Sequence, residues 1–167
     1  ADGGTVQFGN DQEVRLIHTA DTGLILKHTA TADDKPVSLT LQTGETDIAA
    51  NDVIGKIDFQ APDEGTGTDA ILVAAGIEAV SEGDFSSSAN ATKLSFKTAA
   101  SEAAAEKMAL SSAGNLTVAG TFVPTGVITA NAGVVIDNFT IDGTEIDLSS
   151  GSLTIDVAAD ISLDAGG

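Results

Sequence analysis

Two histidines, His18 and His28, each close a short alternating stretch, VRLIHT and LILKHT. Paired imidazoles supply two ligands of a metal site or one acid–base couple, and either use needs a third ligand or a nucleophile beside them. No such motif accompanies them, so they read as exposed strand-end residues. The stretch GTGTDAIL (65–72) nearly fits the nonapeptide that holds calcium between turns of a β-roll, with Glu64 where the first Gly belongs. That chemistry requires tandem copies, and a single copy reads as a hairpin loop. The same stretch fails as an EF-hand, because Gly65, Gly67 and Ala74 occupy positions that must carry oxygen ligands. No Gly-rich phosphate loop opens a helix, no Ser elbow is present, and no feature places two carboxylates beside an apolar pocket. Asn90, Asn115 and Asn138 each begin an Asn-x-Thr acceptor for glycosylation, a pattern that abundant Thr produces by chance. No catalytic, cofactor-binding or metal-binding residue is assigned, and enzymatic activity is not expected.

Composition narrows the class further. Apolar residues make up 42% of the 167, yet they are mostly Ala, Val, Ile and Leu, with six Phe and no Trp, Tyr or Cys. Such side chains suit thin, regular layers better than one thick core, and the lack of aromatic platforms argues against a polysaccharide depolymerase. The formal net charge is −18, and Lys107 is the last basic residue, leaving seven carboxylates and no Lys, Arg or His in the final sixty residues. Nucleic acid and anionic membranes are poor partners for that surface, since binding them means neutralising phosphates. The acidity keeps an edge-rich β-protein dispersed; the competing use is cation binding by stacked carboxylates. Absent cysteines exclude disulfides and thiolate metal sites. No apolar run approaches the roughly 20 residues that span a bilayer. The ends, ADGG and DAGG, read as the middle of a pattern, hence as an internal piece of a longer polypeptide.

The elements that carry these residues read as strands. In 1–47, TVQF, VRLIHT, LILKHT and VSLTLQT alternate and are punctuated by Asp21-Thr22-Gly23 and Asp33-Asp34-Lys35-Pro36. In 48–118 the spacing predicts an antiparallel meander of GKIDF (55–59), ILVAAGIEAV (71–80), KLSFKT (93–98), KMALSS (107–112) and NLTV (115–118). Its expected core is Ile57, Phe59, Ile77, Leu94, Phe96, Met108 and Leu110. SEAAAEKMAL stays open between a turn or two of helix and an extended strand. In 119–167, past a Gly/Pro corner at GTFVPTG, short apolar pairs recur: Phe139/Ile141, Ile146/Leu148, Leu153/Ile155 and Ile161/Leu163. Residues two apart share one face of a strand. Strands this short cannot bury their own apolar face, so units must stack along one chain or between chains. The inward set is expected to be Ile141, Ile146, Leu148, Leu153, Ile155, Ile161 and Leu163.

The central stretch resembles a segment of bacteriophage tail fibres, particularly those of tailed phages from marine hosts. The likeness rests on IGKIDF (54–59), AAGIEAV (74–80), KLSFKT (93–98) and EKMALSSAGNLTV (106–118), in that order and spacing. The flank IDGTEIDLSSGSLTIDVAADISLDAGG resembles the shaft repeats of such fibres. One departure is Met108-Ala109-Leu110, where the family has Met-Arg-Ile. The resemblance implies a parallel homotrimer, on a virion and hence extracellular, whose outside partner is a bacterial surface glycan or protein.

The expected fold class is therefore all-β: an elongated, repetitive structure, a parallel homotrimeric β-prism or triple-stranded shaft, flanking a small antiparallel β unit. The expected role is a structural segment of a phage tail fibre, a spacer or host-attachment piece, with most intersubunit contact in the short-strand regions. The rival is a calcium-dependent bacterial surface adhesin or extracellular filament module.

Overall fold

Alternating β-branched and polar residues dictate ladders, and the computed structural model folds them into two antiparallel sheets. It describes residues 3–62, 65, 67–132, 134, 150–152 and 158. The first sheet joins β1 (Thr5–Phe8), β2 (Val14–Thr19) and β3 (Gly23–His28) in sequence order. Its turns use left-handed backbone: Gly9 and Gln12 lie at φ 83° and 58° between β1 and β2, and Asp21 at 58° between β2 and β3. Gly and Asp adopt that region at the lowest cost, which is why the turn signals in the sequence fall there.

The second sheet is a five-stranded meander of β4 (Val53–Gln60), β5 (Val73–Ser81), β6 (Thr92–Thr98), β7 (Ala105–Leu110) and β8 (Leu116–Val118). Every expected strand of this region is present within a few residues. The open question at SEAAAEKMAL resolves to strand from Ala105 onward, because β6 offers it a ladder: Phe96 pairs with Met108 and Leu94 with Leu110. A 3-10 turn, Asp69–Ile71, takes the start of the stretch expected to be extended. At the β7–β8 turn, Gly114 sits at φ 80° and its N–H donates to the Ser111 carbonyl at 3.0 Å.

Two expectations change. VSLTLQT (37–43) forms no strand, although it alternates; among the described residues, no backbone-to-backbone hydrogen bond involves 30–47. Alternation records which side chains seek burial, but a strand also needs a ladder partner, and none is supplied here. The expected core is also not buried. Ile57, Phe59, Leu94 and Leu110 are exposed, whereas the buried positions of the sheet, Val80, Ser81, Ser95 and Ala109, are mostly small.

The chain divides into two compact units, Ala1–Val123 and Pro124–Gly167. Both sheets belong to the first, with β3 ending at His28 and β4 beginning at Val53. The apolar pairs from Phe139 to Leu163 lie outside the described residues. Among the described residues, no helix is long and apolar enough to cross a membrane.

Candidate functional site

Cross-strand pairing fixes which side chains share a face. One row across the second sheet reads Ile57–Ile77–Phe96–Met108–Val118, and the next reads Gly55–Ala79–Leu94–Leu110–Leu116. A third begins Phe59–Ala75–Thr98. None of these positions is charged, although the chain carries 32 charged side chains of Asp, Glu, Lys and Arg (25 acidic and 7 basic). Among the described residues the face is open: Ile57 is 46% exposed and Phe59 55%.

The opposite face carries the charges. Lys97 Nζ lies 3.2 Å from Glu78 Oε2, Lys93 Nζ 2.8 Å from Glu106 Oε2, and Lys56 Nζ 2.6 Å from Asp58 Oδ2. Lys93 holds the Glu106 carboxyl below the usual carboxylate range, and the hydrogen bond to Asp58 raises the Lys56 ammonium. On this face Ser95 is fully buried, its Oγ without a hydrogen-bond partner among the described residues. Gly76, also here, is packed so closely that a Cβ would meet the Ile57 carbonyl at 3.2 Å and Asp58 Oδ1 at 3.1 Å. The charged face is thus tied together by ion pairs, and the apolar face is left exposed among the described residues.

The edges are closed to pairing by other means. The β4 ladder is irregular at Val53/Gly55 and at Phe59/Gln60, and β4 also carries Lys56. The far edge, β8, is three residues long. Bulges, an edge lysine and a very short edge strand are the standard devices against edge-to-edge association.

One segment approaches the apolar face. Leu41 packs over Gly55, where a Cβ would come within 3.1 Å of the Leu41 Cβ. Leu39 and Leu41, with Ile54, Ile57, Ile77 and Leu94, line an apolar cleft of about 240 Å3. Leu39 itself remains 68% exposed, so the segment borders the face without covering it. The sequence signalled this surface through period two, but placed it in a closed core.

The singled-out chemistry-bearing residues do not converge. His18 pairs with Leu24 and His28 with Val14, so they stand at opposite ends of the β2–β3 ladder. His28 Nδ1 accepts a hydrogen bond from the Ala30 N–H at 3.1 Å. Of the calcium-like stretch, Asp69 enters the 3-10 turn, while Asp63, Glu64 and Thr66 lie outside the described residues. Among the described residues no three His, Asp or Glu side chains gather as metal ligands. Asn115 sits in the β7–β8 turn, its N–H donating to Ser111 Oγ at 3.1 Å. No family model matches the chain, and no curated protein matches it.

Proposed function

We propose that the chain is a structural segment of a phage tail fibre, a spacer or host-attachment piece that works as a parallel homotrimer. The observation that supports this reading is the uncharged face of β4–β8, left uncovered among the described residues on a sheet whose other face is ion-paired and whose edges are blunted. An enzyme or small-ligand carrier uses its apolar surface concavely, around a pocket with convergent polar groups. Here, among the described residues, the apolar surface is a sheet face whose cross-strand rows carry no charged residue, which suits packing against other chains. Stacked short strands and a shared core among copies would give a stiff, extended element that holds a recognition tip away from the particle.

Negative-stain electron microscopy of the purified chain tests the role. The expected particles are narrow rods carrying a thicker bead of consistent position. Compact particles of uniform diameter, at the same concentration, would remove the spacer reading.

A further inference from the structure

We infer that the β4–β8 apolar face is the seam between copies of this chain, with β6 nearest the shared axis. The inference rests on the homotrimer reading above and moves the main contact from the short-strand regions to the five-stranded sheet.

Four observations carry it. The opposite face is committed to three ion pairs, and desolvating those charges would cost more than it returns. Irregular pairing and Lys56 block one edge, and the shortness of β8 limits the other, so lateral strand pairing is disfavoured. On the second sheet this leaves the face that holds Ile57, Phe59, Ile77, Leu94, Phe96 and Leu110, and among the described residues Ile57, Phe59, Leu94 and Leu110 are exposed there.

The occupant is a second copy because of charge and size. A partner of opposite sign would be drawn to the acidic surfaces of a chain at −18 and not to its uncharged face. An equally acidic partner can approach only where charge is absent, and an identical chain meets that condition at equal abundance. Five strands about 4.8 Å apart and roughly six residues long at about 3.4 Å each present on the order of 450 Å2 in plan. Three such faces closed around one axis, extended by Leu39 and Leu41, bury roughly 1,350 Å2 in all, above the lower limit of about 1,000 Å2 for a specific interface. The central strand carries Leu94 and Phe96 outward, and the 240 Å3 cleft beside Leu94 leaves room for a neighbour's side chain.

The test uses the whole chain. Leu94→Lys and Phe59→Lys each put a charge on a side chain already exposed in one chain; Thr117→Lys puts the same charge on the other face. The face variants are expected to need at least tenfold more protein to associate, with unchanged far-UV circular dichroism, while T117K associates normally. Because the chain has no cysteine, L94C and T117C supply a second readout that does not depend on weakened folding. L94C is expected to cross-link between chains with a short bismaleimide, and T117C is not. An associated wild type whose L94K and F59K variants associate equally well, or whose L94C does not cross-link, places the seam elsewhere and leaves the fibre reading standing. A wild type that never associates overturns both.

Discussion

Gly76 shows how a single residue sets the sheet. A strand glycine normally weakens its ladder, and its retention in β5 is explained by the Ile57 carbonyl and the Asp58 carboxylate beside it. Gly76→Val is expected to lower unfolding free energy by about 1–3 kcal/mol, as overpacking does, whereas Gly44→Ala, with open space around it, should be near neutral; urea melts compare them. The carboxyl of Glu106 gives a pH signature. Its folded pKa lies below the ordinary 4.5 because Lys93 donates to it, so the stability it adds is present above that value and lost as pH falls through the folded pKa. Glu82, lowered by the Ser112 side chain and then by the Ser112 N–H at 3.0 Å, follows the same sign. Glu106→Gln is therefore expected to cost about 0.2–1 kcal/mol at neutral pH, as exposed pairs do, with the difference from wild type closing below pH 4.5. A difference that holds constant down to pH 2 would show that the pair contributes nothing through charge.

At the level of elements, the strands were legible and their surroundings were not. Period two marked GKIDF, KLSFKT and NLTV because each places like residues on one face, and the ladders of β4 to β8 follow that phase. The same signal misassigned VSLTLQT, since alternation does not reveal whether a partner strand exists in the chain. It also named Ile57, Phe59 and Leu94 as one set but placed them in a closed core, whereas among the described residues they stay exposed. The ion-paired face had a readable trace in Lys93-x-Ser95-x-Lys97, whose positive charges meet the negative Glu106 and Glu78 of the flanking strands. Hydrogen exchange tests the element assignment directly. Amides of 37–43 are expected to exchange almost as fast as an unfolded chain in the single-chain state, and those of β5 and β6, paired on both sides, slowest of all. Protection of 37–43 that appears only on association would mean that another copy supplies its ladder.

For the molecule as a whole, the balance lies between an uncharged face and a charge of −18. Like charges repel over about 30 Å at 0.01 M salt and about 8 Å at physiological salt, so screening should favour association. Added monovalent salt is expected to raise the melting temperature about as much as calcium at matched ionic strength. A fall of many degrees on chelation at constant ionic strength would favour the calcium-dependent adhesin instead. The central claim is that one chain leaves its second sheet unfinished and other copies complete it. Sedimentation equilibrium of the intact chain at micromolar concentration and physiological salt tests this most directly. The expected result is a single species with the mass of three 16.7-kDa chains; a monodisperse, folded species with the mass of one chain would contradict it.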